Sequence, residues 1–282
     1  MKNLRNIIQS IKALDGSDDS ELQQLIWKLI CYSPKMPVRL QQQQLLDQAE
    51  KLQIIVKDDH FAHADLKVNV FRWGSGSKKV LLTHGWASKA ADFSDLILSL
   101  KENNDLQVIA FDAPGNGSSE GELSNLLLYF QSVKTIISNY GEPNIFIGHS
   151  LGAMANILAI QELGLRPSLI VSLAPLIKLK ENFEATLNLV DTSQAAQIEF
   201  FKSFKELFGV RASDFDLTKI YSLNDQQRHW IGHDSNDTIH PYGYLSEFLN
   251  TYKFVASTDY PGVGHDKIIK DIQVQADVLK RI

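Results

Sequence analysis

The residues best suited to chemistry in this chain of 282 residues are a serine between two glycines and a histidine in a glycine-rich loop near the C-terminus. Residues 145–155 read IFIGHSLGAMA, and an apolar run changes there into a helical pattern at Ser150. The stretch matches the Gly-x-Ser-x-Gly elbow, in which small flanking residues allow a sharp turn that exposes the serine oxygen. The sequence predicts that Ser150 is a nucleophile, although a glycine-rich turn without chemistry would read the same way.

A serine hydroxyl needs a general base, and the base needs an acid that orients it. His265 follows the apolar run Phe254–Val255 and precedes a predicted helix, so it is the predicted base. In a strand–helix architecture the acid is expected between the serine and the histidine in chain order. Two carboxylates, Asp234 and Asp237, follow the preceding apolar run, and local physics does not choose between them.

Two backbone N–H groups are predicted to stabilise a developing oxyanion. The start of the helix behind Ser150 presents the N–H of Leu151. The second donor is expected in the loop His84–Trp86, where Gly85 permits close approach of the backbone and the N–H of Trp86 is the predicted donor. The pattern predicts nucleophilic catalysis in which a developing oxyanion is stabilised.

Short apolar runs alternate with helical segments from about residue 53 onward. The runs are Leu66–Phe71, Val80–Thr83, Val108–Phe111, Ile145–Ile147, Leu169–Leu173, Trp230–Ile231 and Phe254–Val255. This alternation predicts an α/β fold with a mostly parallel central sheet and helices on both faces. Sites in such sheets form beyond the carboxyl ends of the strands, where the candidate residues would meet.

An N-terminal region differs from this alternation. Residues 1–60 look helical, with a break at Asp15–Asp18, and we place an N-terminal helical extension at residues 1–52. The α/β domain would then occupy residues 53–282.

A second helical region interrupts the domain. Residues from about 176 to 228 are too many for a single crossover and predict an inserted helical cap. Four phenylalanines at helical spacing between residues 200 and 208 would form the core of this cap or line an acyl pocket.

Composition excludes several classes of protein. The net charge of -5 and the lack of a basic stripe argue against a nucleic-acid partner. The single cysteine, Cys31, cannot form an intramolecular disulfide and fits a reducing compartment. Neither a signal peptide nor a transmembrane helix is expected, so the cytoplasm is the default location. The histidines lack metal-binding spacing, and neither a metal nor a cofactor is expected.

Five stretches in order resemble the α/β-hydrolase superfamily. They are LLTHGW (81–86), FDAPGNGSS (111–119), IGHSLG (147–152), the Asp237-Thr-Ile-His-Pro loop and GVGHDKI (262–268). The resemblance covers roughly residues 60–282. It favours Asp237 over Asp234, because the acid of that family commonly precedes an x-x-Val-Pro-like turn. Asn116 stands where the family often has histidine, so any role of a histidine there is absent.

The resemblance implies a serine hydrolase that cleaves carboxylic esters of small to medium, apolar acyl groups through an acyl-enzyme. Ser150 excludes the epoxide hydrolases and haloalkane dehalogenases of this fold, which use aspartate at the elbow. The expected partner is a small-molecule ester, and no cofactor is needed. The motifs do not separate esters from amides, thioesters or carbon–carbon bonds. A ligand receptor or signalling protein with a vestigial site, docking a partner through the N-terminal extension, is the alternative of a different class.

Overall fold

A single eight-stranded sheet lies at the centre of the molecule. The structure, a computed structural model, describes residues 2–14 and 20–282. The strands are β1 (Glu50–Asp58), β2 (Ala64–Trp73), β3 (Lys78–Thr83), β4 (Leu106–Phe111), β5 (Ile145–His149), β6 (Leu169–Leu173), β7 (His229–His233) and β8 (Ala256–Asp259). Their order is β1-β2-β4-β3-β5-β6-β7-β8, with β1 and β2 antiparallel to their neighbours and the other six strands parallel.

Helices cover both faces of this sheet. In the described residues they are α1 (Lys2–Leu14), α2 (Ser20–Cys31), α3 (Leu40–Asp47), α4 (Ser94–Lys101), α5 (Leu126–Tyr140), α6 (Leu151–Glu162), α7 (Leu179–Leu189), α8 (Gln194–Phe208), α9 (Leu217–Ile220), α10 (Tyr242–Thr251) and α11 (Ile272–Leu279). Helices α3, α4 and α11 bury their apolar residues on one face, and α1, α2, α5 and α6 pack with α7 and α8 on the other. The predicted fold class is confirmed.

The central strands are buried throughout and mostly apolar because both of their faces are covered. Every residue of β5, β6 and β7 is buried. In a parallel sheet enclosed by helices, the side chains of both faces enter a core, so continuous rather than alternating hydrophobicity is expected. This burial fixes the carboxyl ends of β5 and β7, which carry the candidate residues.

The prediction that the helical region continues to about residue 60 is wrong. Residues 50–58 form β1, which pairs with β2 and aligns Ile54 with Val68. Ile54 and Val56 are buried while Ile55 between them is half exposed, so the true period is two residues. The boundary placed between residues 52 and 53 consequently falls inside β1.

The last strand also differs from its prediction. Phe254–Val255 does not form a strand, and β8 begins one residue later and pairs with β7. The Val255 N–H donates to the carbonyl of Tyr252, closing the turn before the strand. The strand itself is an edge strand of largely exposed residues, so hydrophobicity does not mark it.

The N-terminal helices pack against the helices that separate β6 from β7. The indole of Trp27 on α2 contacts the rings of Phe200 and Phe204 on α8, at centroid distances of 4.9 and 6.0 Å. The phenylalanine stripe of α8 therefore packs on α2. The predicted break at Asp15–Asp18 lies outside the described residues. No helix in residues 2–14 or 20–282 combines the length and hydropathy needed to cross a bilayer.

Candidate active site

Ser150 occupies a strained turn between β5 and α6. Its φ of 53° and ψ of -120° are values that a residue with a side chain rarely adopts. The turn is held by the Ser150 N–H, which donates to the carbonyl oxygen of Leu173 at 3.0 Å, and by the Leu176 N–H, which donates to the Ser150 carbonyl oxygen at 3.2 Å. Strain of this kind persists only where surrounding structure enforces it, as it does here.

The two glycines of the elbow are required by close packing. A Cβ atom at Gly152 would lie 2.3 Å from the carbonyl oxygen of His84, and one at Gly148 would lie 2.5 Å from the Cα atom of Ala153. A Cβ atom at Gly85 would meet His149 Nδ1 at 2.6 Å. The glycines thus allow β5, α6 and the loop after β3 to meet around the serine.

The structure brings the predicted nucleophile, base and acid into one hydrogen-bonded chain. His265 Nε2 lies 3.0 Å from Ser150 Oγ, and His265 Nδ1 lies 2.7 Å from Asp237 Oδ2. Asp237 follows β7 and His265 follows β8, so parallel strands deliver all three side chains to the same edge of the sheet. The arrangement is suited to proton transfer from the hydroxyl to the imidazole.

Asp237 and Asp234 have different partners. Besides His265, the Asp237 carboxylate accepts hydrogen bonds from the N–H groups of Ile239 and His240, at 2.7 and 3.0 Å. Burial raises the pKa of Asp237, but the hydrogen bond and charge of His265, with these N–H groups, hold it below its usual value overall. The carboxylate is therefore ionised near neutral pH and can stabilise an imidazolium.

Asp234 supports the backbone of the loop that carries the histidine. Its carboxylate accepts from the N–H groups of Asn236, Gly262 and Gly264, at 2.8, 3.1 and 2.7 Å. These donors lower the pKa of the Asp234 carboxyl against the effect of burial. Asp234 joins the loops after β7 and β8, whereas Asp237 contacts the imidazole.

The two predicted oxyanion donors lie beside the serine. Leu151 is the first residue of α6, and Trp86 follows Gly85 in the loop after β3; both line the same cavity as Ser150. Within the described residues, neither of their N–H groups has a hydrogen-bond acceptor. Free N–H groups at a helix start and a neighbouring loop can bind an oxyanion.

His84 braces the loop that carries Trp86. The ring is buried, its Nε2 accepts from the Ala113 N–H at 2.9 Å, and its Nδ1 lies 2.7 Å from the carbonyl oxygen of Gly85. The Tyr129 hydroxyl donates to the same carbonyl at 2.8 Å. These bonds fix the loop behind the predicted donor.

Two histidines that the sequence analysis did not single out contact His265. The Nε2 atom of His149 lies 3.0 Å from the His265 carbonyl oxygen, and the His240 ring lies edge-on to the His265 ring at a centroid distance of 4.4 Å. Each neighbours a predicted site residue, His149 before Ser150 and His240 three residues after Asp237. Their position at the same sheet edge was the signal that could have identified them.

A cavity of about 550 Å³ opens above Ser150. Its lining is mainly apolar and comes from α1, α2, α6 and α7 together with the loops that carry His240 and His265. The four phenylalanines of α8 are not part of the cavity lining in the described chain. Among all the residues that the structure describes, no three His, Cys, Asp or Glu side chains are grouped so that they could hold a metal ion.

Comparison with known proteins identifies the class to which this fold and site belong. Residues 74–242 match the serine aminopeptidase S33 family, a range that covers more than half of the chain. The chain belongs to this family of α/β hydrolases. The matched range contains Ser150 and Asp237 and ends before His265.

The chain is also similar to particular members of the superfamily. It is 31% identical over 143 residues to the monoglyceride lipase of Rattus norvegicus, across 46% of this chain and 47% of the lipase. The match thus spans about half of that relative. Among solved structures, an esterase of Pyrococcus furiosus aligns with a TM-score of 0.61 and 19% identity, over 89% of this chain and 95% of the esterase. Mouse alpha/beta hydrolase domain-containing protein 10 aligns with a TM-score of 0.62 and 16% identity, over 81% and 96%.

Proposed function

We propose that the protein is a serine hydrolase that cleaves carboxylic esters with apolar acyl groups through an acyl-enzyme. The observation that carries this proposal is the chain of hydrogen bonds from Asp237 through His265 to Ser150, at 2.7 and 3.0 Å, beside an apolar cavity. A nucleophile, a base and an orienting acid in this geometry form the constellation used for acyl transfer.

In this mechanism Ser150 Oγ attacks the ester carbonyl carbon while His265 Nε2 takes the hydroxyl proton. The ionised Asp237 accepts from Nδ1–H and stabilises the imidazolium that forms. The N–H groups of Trp86 and Leu151 donate to the oxyanion of the tetrahedral intermediate. His265 then protonates the leaving alcohol, and water activated by the same imidazole releases the carboxylic acid.

The comparisons support an ester as the substrate. The partial relative is named a lipase, and the Pyrococcus furiosus structure is named an esterase. The same groups could also act on an amide, a thioester or a carbon–carbon bond, so these remain alternatives for the test. We further propose that α7, α8 and α9 form the cap and that the helices before β1 act as an extension of the domain. A cytoplasmic location stays a prediction.

Hydrolysis of p-nitrophenyl esters from acetate to decanoate tests the proposal. Replacing Ser150 with alanine should lower kcat by roughly 10⁴-fold or more, since nucleophilic catalysis is lost entirely. Ser99→Ala on α4, outside the cavity, is the matched control and should keep wild-type turnover. Equal ester turnover by wild type and Ser150→Ala would refute the proposal. Absence of turnover in both would direct the search to amides and thioesters, and tight ligand binding without turnover would favour a receptor.

A further inference from the structure

One wall of the cavity above Ser150 comes from the N-terminal helices. Leu4 and Ile8 of α1 and Leu29 and Ile30 of α2 line this wall. All four precede the range that matches the family. The wall therefore belongs to a part of the chain that the family match does not describe.

Helix α1 presents one stripe to the cavity and an adjacent stripe to the core. Leu4, Ile8 and Lys12 are spaced four residues apart and line the cavity together. Ile11, on the neighbouring stripe, has none of its surface exposed, whereas Leu4, Ile7 and Ile8 are partly buried and pack against the same core. Burial of the second stripe fixes the rotation of the helix, so the first stripe faces the cavity.

Helix α2 is joined firmly to the helices between β6 and β7. Trp27 Nε1–H donates to Ser203 Oγ at 3.1 Å, and Gln23 Nε2–H donates to the Ala196 carbonyl oxygen at 3.0 Å. On α1, Lys12 Nζ forms an exposed ion pair with Asp191 Oδ2 at 2.7 Å. The N-terminal helices are thus packed as part of the domain.

The chain after α2 is fastened to the loop that precedes α5. The Ser124 N–H donates to the Cys31 carbonyl oxygen at 2.7 Å, and Tyr32 forms an isolated β-bridge with Leu123. The Ser33 hydroxyl donates to Asn116 Oδ1 in the same buried region. These contacts hold the C-terminal end of α2, whose Ile30 and Cys31 line the cavity beside the nucleophile.

Helix α7 supplies a second apolar wall of the same cavity. Leu179, Phe183 and Leu189 line it together with the residues of α1 and α2. An apolar compartment with a nucleophile in its lining suits a flexible hydrocarbon chain, because each methylene that leaves water adds to binding. Its volume of about 550 Å³ lies in the range of pockets that enclose a small-molecule ligand.

We propose that α1 and α2 form an acyl-binding wall and that Leu4 and Ile8 determine which acyl chains are accepted. The substrate class is an ester of a flexible, apolar acyl chain, because the cavity of about 550 Å³ has a mainly apolar lining that can bury methylene groups. This inference rests on the proposed function, in which Ser150 accepts the acyl group.

A tryptophan at position 8 should fill the part of the cavity next to α1. Ile8→Trp should lower kcat/KM for p-nitrophenyl decanoate by about tenfold or more, since several methylenes lose their burial. The value for the acetate ester should fall much less, because its acyl group needs only the region next to Ser150, so the decanoate-to-acetate ratio should drop. Gln9→Trp adds the same side chain at an exposed position of the same helix, and it should leave both esters as in wild type. An unchanged decanoate-to-acetate ratio in Ile8→Trp, or an equal loss on both esters, would overturn the wall.

Binding of decanoate separates this inference from the proposed function. Calorimetric titration of the full chain carrying Ser150→Ala should give a Kd that rises about tenfold when Ile8→Trp is added and stays constant when Gln9→Trp is added. If wild type hydrolyses no ester but Ile8→Trp still weakens decanoate binding, the proposed function is wrong and the assignment of α1 to the acyl-binding wall is supported. If decanoate does not bind, or binds both tryptophan variants equally, the assignment of α1 to an acyl-binding wall is wrong.

Discussion

His149 holds the backbone of His265 in place. The two residues are joined by a hydrogen bond of 3.0 Å from His149 Nε2 to the His265 carbonyl oxygen. A carbonyl oxygen only accepts, so His149 Nε2 carries the hydrogen. Burial, with the proximity of His265, lowers the pKa of His149 to about 3, and the ring is neutral near pH 7. The residue before Ser150, the proposed nucleophile, thus positions His265, the proposed base.

This relationship predicts a defect in kcat when the donor is lost. His149→Leu should lower kcat by about 10- to 100-fold with little change in KM, since a shift of the imidazole by a fraction of an ångström misaligns proton transfer. His149→Gln keeps an N–H donor and should recover most of the activity. Steady-state kinetics on one ester measures both effects. Wild-type kcat in His149→Leu, or a glutamine variant as slow as the leucine variant, would contradict the positioning role.

The two carboxylates after β7 should respond differently to the same substitution. Asp237→Asn removes the charge beside the imidazole and should lower kcat by about 10³- to 10⁴-fold, with little effect on fold. Asp234→Asn weakens three backbone hydrogen bonds and should lower the free energy of unfolding by about 1–3 kcal/mol, with a much smaller loss of kcat. Kinetics and denaturant unfolding of both variants distinguish the roles. A larger kcat loss in Asp234→Asn would reverse the assignment.

The glycine of the elbow should not tolerate even a methyl group. Gly152→Ala would place a Cβ atom 2.3 Å from the His84 carbonyl oxygen and should lower the free energy of unfolding by about 2 kcal/mol or more. Gly243→Ala is the matched control, because nothing lies within 4 Å of the added atom in α10. It should raise stability by about 0.5 kcal/mol through reduced backbone freedom of the unfolded chain. Equal free energies of unfolding of the two variants in urea would show that the space around Gly152 accepts a methyl group.

The buried histidines should make stability depend on pH. Burial lowers the pKa of both His149 and His229 from 6.5 to about 3, so between these values the unfolded chain binds more protons than the folded one. The neutral rings make their full contribution to the free energy of unfolding above about pH 6.5. As the pH decreases from 6.5 towards 3, the free energy of unfolding falls by about 1.4 kcal/mol per pH unit for each histidine.

Urea unfolding between pH 6.5 and 4.5 measures this slope. His229→Gln should reduce the slope by the contribution of one histidine, whereas Gln226→Asn, at an exposed position before the same strand, should leave it as in wild type. A slope that His229→Gln does not change would disprove the linkage to this buried ring.

Local sequence carried most of the candidate site. The elbow could be predicted because a strand that turns sharply into a helix needs glycine at fixed positions around Ser150, and the sequence motif contains these glycines. His265 and the alternation of strands and helices could be predicted for similar reasons. The choice of the acid could not be made from the residues, because Asp234 and Asp237 share one loop and only the resemblance to a family favoured Asp237.

Tertiary structure decided what depends on residues far apart in the chain. Strand β1 was missed because its alternation of buried and exposed residues is not visible in the sequence. It is set by the pairing of β1 with β2, which buries Ile54 and Val56 and leaves Ile55 exposed. The bond between His149 and His265 joins residues 116 positions apart, and the wall formed by Leu4 and Ile8 faces a serine far along the chain. The sequence identified the candidate groups for chemistry, because turn geometry is local. Packing determined what surrounds them, because burial depends on how distant segments meet.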